Sequence, residues 1–141
     1  MLLVCNVVFI WGNSMLPAEM SKAISGFVRD VISQIFSGVS SSSEAVVREG
    51  ILRKIAHFLE FSCLGVLLCW LFAMLDKHWV MSVACGFTIA CIDETIQCFV
   101  PNRGPGFLDV LLDTAGVAFG IAMLLLGYAL YKKKQNGGNI K

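Results

Sequence analysis

The sequence predicts an all-α integral membrane bundle of four transmembrane helices with an amphipathic helical segment between the first and second. Three observations lead there. Hydrophobic residues make up 57% of the 141-residue chain and charged residues only 15%, and the mean hydropathy of +0.75 lies far above that of soluble domains. The apolar runs approach or exceed the roughly 20 residues that a helix needs to cross about 30 Å of hydrocarbon. Titratable side chains nevertheless interrupt those runs, His57 and Glu60 first among them, although each costs roughly 2.5 to 3.5 kcal/mol to insert near a helix centre. A chain of this length has room for one small bundle, so residues 1–141 are read as a single domain.

Each element follows from the residues in turn. The first apolar run, residues 1–16, meets Gly12, Asn13 and Pro17 before it is long enough to cross, and reads as a first transmembrane helix, incomplete as given. With no basic segment ahead of it, it makes a poor signal peptide. Residues 18–54 form an amphipathic extracytoplasmic segment. Met20, Ala23, Ile24, Phe27, Val28, Val31 and Ile32 recur at helical spacing, and Lys22, Arg29 and Asp30 lie opposite. Such a helix lies either in the membrane interface or across the mouth of the bundle. After the serine run, Ser41 and Glu44 have the spacing of a capping box.

The second span covers residues 55–75, and the turn Asp76, Lys77, His78 leads into the third, residues 79–99. A connection rich in helix breakers, Pro101 to Gly106, precedes the fourth span at residues 107–131. The tail, residues 132–141, opens with Lys132, Lys133 and Lys134 and reads as disordered. These lysines and Lys77 place both termini in the cytoplasm by the positive-inside rule, while Arg48, Arg53 and Lys54 count against that orientation.

Because the spans alternate in direction, the start of the second, the end of the third and the start of the fourth meet at one membrane face. Arg53, His57 and Glu60 share one helix face, as do Asp93 and Gln97, and as do Asp109 and Asp113. Gly116 and Gly120 continue the last of these faces as a small-residue stripe that permits close helix approach. Lys54, Glu94 and Arg103 complete the polar set. Its five carboxylates, Glu60, Asp93, Glu94, Asp109 and Asp113, outnumber its cations, so they either take up protons or hold a cation.

No cofactor is identified from these residues. A divalent cation is one option, although His57-x-x-Glu60 is not the HExxH zinc motif and no second histidine lies near the site. The net charge of +1 and the short, scattered basic clusters exclude a nucleic-acid partner. The six cysteines form no CxxC pair, and nearly all sit in apolar runs as small hydrophobes, so they reveal no redox compartment.

Three ordered stretches, RKIAHFLEF, DETIQCFVPNRG and FLDVLLDTAGVAFG, closely resemble the signature blocks of the VanZ-like membrane protein family. The resemblance runs from about Arg53 to Gly120 and places Arg53 or Lys54, His57, Asp93, Glu94, Gln97, Arg103 and Asp109 at the family's polar positions. Asn13 and Ser14 resemble the family's first-helix end more loosely. Phe61 stands where the family usually has tyrosine, and Asp113 where it usually has asparagine, which removes a hydroxyl and adds an acid.

The resemblance implies a multi-pass protein of the bacterial cytoplasmic membrane, linked through the family's founding members to resistance against teicoplanin-type glycopeptide antibiotics. It supplies no catalytic mechanism, and the oligomeric state stays open. One reading is a protein that binds or alters a membrane lipid, a lipid-linked envelope component or a lipoglycopeptide. In it Arg53, Lys54 and Arg103 contact phosphate or carboxylate, and Glu60, Gln97, Asp109 and Asp113 contact amine or hydroxyl groups. The other is a small intramembrane enzyme with His57, Asp93 and Glu94 as catalytic groups, for which Ser62 and Cys98 are the nearest nucleophiles without an activating pattern. A proton-linked transporter is a third reading, handicapped by so few spans.

Overall fold

In hydrocarbon, a chain must satisfy its backbone N–H and C=O groups without water, which restricts apolar segments like these to helices or a closed barrel. The computed structural model describes residues 1–16, 42–101 and 106–138. Among them are four helices and no strand: α1 (Leu2–Ser14), α2 (Ser42–Met74), α3 (Trp79–Cys98) and α4 (Phe107–Gly138). Three contain segments long and apolar enough to cross a membrane, namely Arg53–Met74, Trp79–Cys98 and Phe107–Asn136. The first helix is shorter than the other three. Its 13 residues cover about 20 Å, less than the hydrocarbon thickness.

The expected amphipathic segment falls mostly outside the described residues. Where it enters them, at Ser42, the chain is already helical and continues without a break into the second span. Ser41, the expected cap, also lies outside the described residues. At the far end of α2, Asp76 adopts φ 52°, and the N–H of Lys77 donates to the Phe72 carbonyl at 2.8 Å, which reverses the chain within a few residues. His78 then caps α3, its Nδ1 accepting from the Val80 N–H. The lysine run departs from expectation: α4 continues as helix through Lys132, Lys133 and Lys134 to Gly138. Lysine and glutamine favour helix, and no glycine or proline interrupts the chain between Gly127 and Gly137.

Helix α2 is the hub and packs against α1, α3 and α4, most extensively against α4. Glycines make that last contact a backbone-to-backbone one. A Cβ on Gly120 would run into the Ser62 carbonyl and one on Gly65 into the Val117 carbonyl, while one on Gly116 would lie 2.7 Å from the Phe58 oxygen. The fully buried Val117 also fills the space above Gly86 of α3, so three helices meet at that residue. Phe61, Leu64, Leu68, Ala90, Val110 and Ile121 complete most of the core, to which α1 adds Ile10. Leu59, Trp70, Met74, Phe87, Met123 and Leu126 point outward and exposed, as lipid-facing residues do.

The α2–α4 contact should not tolerate a side chain. Gly120→Ala is expected to destabilise the protein by about 1 to 3 kcal/mol through overpacking. Gly127→Ala, on the same helix with nothing within 4 Å of its added carbon, should be neutral or stabilise by up to about 1 kcal/mol. Thermal melts of the two variants in detergent check the contrast, and equal melting temperatures would refute the close approach.

Candidate functional site at one end of the bundle

Pairs across the α2–α4 contact advance together along both helices. Lys54 meets Asp109, Phe58 meets Gly116 and Ser62 meets Gly120, so these two helices run parallel. The intervening α3 runs the other way and delivers its last turns to the same end. That is where the polar residues gather.

Asp93 of α3 is completely buried. Its Oδ2 accepts hydrogen bonds from Ser14 Oγ and from Gln97 Nε2, both at 2.8 Å, and Gln97 is one helical turn further along α3. Its Oδ1 has no hydrogen-bond donor among the described residues. The neighbouring carboxylate is held differently: Glu94 Oε2 accepts from the backbone N–H of Gly106 at 3.0 Å, which ties the end of α3 to the entry of α4. On α2, Glu60 Oε1 accepts from Asn13 Nδ2 at 2.9 Å, and its Oε2 lies 3.9 Å from His57 Nδ1. Asp113 of α4 is 2% exposed. One ligating atom from each of His57, Asp93 and Asp113 lies within 4.8 Å of the others.

Above this buried layer, a recess of about 270 Å³ opens between the helix ends, lined by Arg53, Lys54, His57, Glu94, Gln97, Asp109, Leu112 and Asp113. Its interior leaves room for about one water-sized species, so any larger group can sit only across the mouth. There the half-exposed Lys54 ammonium bonds Asp109. The electrostatics are layered, with the cations Arg53 and Lys54 at the recess and carboxylates both in its wall and beneath it.

Nine of the ten sequence-derived candidates are therefore brought to one end of the bundle, while Arg103 lies outside the described residues. Both candidate nucleophiles are engaged within their own helices. Ser62 Oγ donates to the Phe58 carbonyl at 2.6 Å, and Cys98 Sγ donates to the Glu94 carbonyl. Phe61 is fully buried in the core, where a tyrosine would need a partner for its hydroxyl. Asn13 and Ser14 at the end of α1, which the sequence placed only by their loose resemblance to the family's first-helix end, also belong to the network.

Helices that expose apolar side chains outward and enclose a hydrogen-bonded, acid-rich cluster at one end define a polytopic membrane protein with a polar site. The VanZ/LLP1 family model matches residues 1–130, and the chain belongs to that family. No curated protein and no solved structure matches the chain.

If Ser14 holds a buried carboxylate, removing its hydroxyl should be costly. Ser14→Ala is expected to destabilise the protein by about 1 to 3 kcal/mol, the range for leaving a buried acceptor short of a donor. Lys54→Ala breaks a pair at the solvent-facing rim and should cost less than about 1 kcal/mol. Denaturation in detergent measures both, and a neutral Ser14→Ala would remove α1 from the site's support.

Proposed function

We propose that this VanZ-family protein binds the polar group of an envelope lipid, a lipid-linked envelope component or a lipoglycopeptide at one face of a bacterial cytoplasmic membrane, and so contributes to resistance against teicoplanin-type glycopeptides. The recess is the observation that carries the proposal. It sets Arg53, Lys54 and the rim carboxylate Asp109 beside the buried polar groups His57, Glu94, Gln97 and Asp113, a mixture suited to a headgroup with both anionic and hydroxyl or amine parts. Its small interior suits a ligand that stays anchored in the bilayer and presents only its head to the mouth.

An intramembrane enzyme acting on the same class of molecule is the second reading. The observation that favours it is the closeness of the His57 imidazole to two carboxylates, an arrangement used for proton transfer. The engagement of Ser62 and Cys98 within their helices weighs against a covalent intermediate on either.

Function and scaffold separate under substitution. His57→Ala is expected to accumulate in cells and to melt within a few degrees of the parent, yet to lose protection against teicoplanin. Protection that merely follows protein abundance would make His57 a structural residue and overturn the proposal. Purified protein then divides the two readings, since a catalytic His57 would lose turnover at nearly unchanged ligand affinity, whereas a binding His57 would lose affinity.

Orientation follows from the basic residues. Lys77 and Lys132 to Lys134 lie at the end of the bundle away from the recess, so the positive-inside rule turns the recess outward. A cysteine placed at Ser42 should react with a membrane-impermeant maleimide in intact cells, and one at Lys133 should not. The reverse pattern would invert the protein.

A further inference from the structure

The buried layer below the recess has a charge problem that its hydrogen bonds do not solve. Asp93 and Asp113 come together within a few ångströms in the interior of a lipid-embedded bundle. Two carboxylates so placed, one fully buried and the other on the inner wall of the recess, repel each other and call for a compensating charge. Lys54 is committed to Asp109 at the rim. Asp93 Oδ2 is fully occupied by Ser14 and Gln97, which leaves Oδ1, on a side chain with no exposed surface, without a donor among the described residues.

We propose that His57, Asp93 and Asp113 form a binding site for one divalent cation of the manganese or zinc class. Two carboxylates and a neutral imidazole balance a charge of +2, and they do so with one nitrogen and two oxygen donors. That set suits manganese and zinc better than calcium, which takes six to eight oxygens, or magnesium, which favours carboxylates and retained waters. Spacing fits with little movement. Ligand atoms sharing a cation at bonds of about 2.0 to 2.2 Å lie roughly 3 to 4.4 Å apart, and here the three lie within 4.8 Å of one another. The supports of a metal site are also in place: Ser14 and Gln97 fix the Asp93 carboxylate, and the Glu60 carboxylate lies beside the His57 ring.

Three protein ligands leave a coordination position open. His57 and Asp113 also line the recess, whose interior accommodates about one water-sized species. The open position therefore accepts a water or one anionic oxygen of a group lying across the mouth. The presence of the cation stands independently of the ligand-binding function proposed above, whereas this role for it rests on that function.

Manganese is the appropriate probe, because the six free cysteines would bind zinc but are poor manganese ligands. Chelator-treated full-length protein in detergent is titrated with Mn²⁺ and followed by electron paramagnetic resonance and equilibrium dialysis. One ion per chain is expected. Asp93→Asn and Asp113→Asn, which keep side-chain shape, should each weaken binding by more than about 100-fold, since even a supporting residue is worth 10- to 100-fold. Gly127→Ala, remote from the site and with open space around its added carbon, should bind as the parent does, and Mn²⁺ should raise the melting temperature of the parent but not of the two asparagine variants. Those variants must melt as cooperatively as the ion-free parent, which shows that they are folded.

Failure of the parent to bind Mn²⁺ at millimolar concentration, or unchanged binding in both asparagine variants, would overturn the site. The functional proposal fails separately, if a His57→Ala protein that has lost the ion still protects cells against teicoplanin in full.

Discussion

The backbone contact between α2 and α4 is the constraint on which the polar site depends. In lipid there is little hydrophobic drive to bring two helices together, so association relies on close packing, and small residues permit the closest. Gly65, Gly116 and Gly120 let the two backbones touch. Their register, Phe58 against Gly116 and Ser62 against Gly120, sets the positions of the residues one and two turns nearer the membrane face. Asp113 thereby arrives beside His57, and Asp109 beside Lys54. A wider crossing would leave the same side chains facing lipid or each other across a gap, with no pairing to offset their burial. Packing and chemistry are two consequences of one helix register.

The other two helices complete the site from opposite directions. Helix α3 brings Asp93, Glu94 and Gln97 on its last turns, and Glu94 accepts the Gly106 N–H, so α3 and α4 are joined at the site as well as through Val117. Helix α1 contributes little buried surface beyond Ile10 and Ser14, yet its terminal Asn13 and Ser14 each bond a carboxylate of another helix. For a short apolar helix in a membrane, such polar contacts are a source of fixed position that apolar contact with lipid cannot provide.

Much of this architecture was legible in the sequence because lipid imposes long, uniform apolar segments, and charged interruptions stand out against them. The three long helices fall where the apolar runs do. The three- and four-residue spacings of Asp109, Asp113, Gly116 and Gly120 already placed acids and glycines on one face, and direction reversal alone was enough to gather the polar ends. What a linear pattern could not convey was depth and partnership. Nothing in the sequence separates the completely buried Asp93 from Asp109 at the rim, because burial depends on which helix lies opposite. Ser14 was similarly obscure, since its partner is 79 residues away. The tail misled because lysines near a chain end suggest solvent and disorder, although their intrinsic preference is helical.

Layering explains how an acid-rich site can persist in a hydrophobic protein. Each group at mid-membrane depth carries a cost of a few kcal/mol, and the cost falls where water and headgroups can reach. The rim pair of Lys54 and Asp109 occupies that wetter zone, with Lys54 half-exposed, and so contributes little to stability and can be exchanged for contact with water at slight expense. One layer deeper, Asp93 and Glu60 hold fixed hydrogen bonds to side chains of α1 and Glu94 one to the Gly106 backbone, and exchange there would leave buried groups unsatisfied. The membrane face of the bundle therefore presents first a pair that can yield, and then a cluster that cannot without leaving buried groups unsatisfied, so the ligand proposed above would meet them in that order.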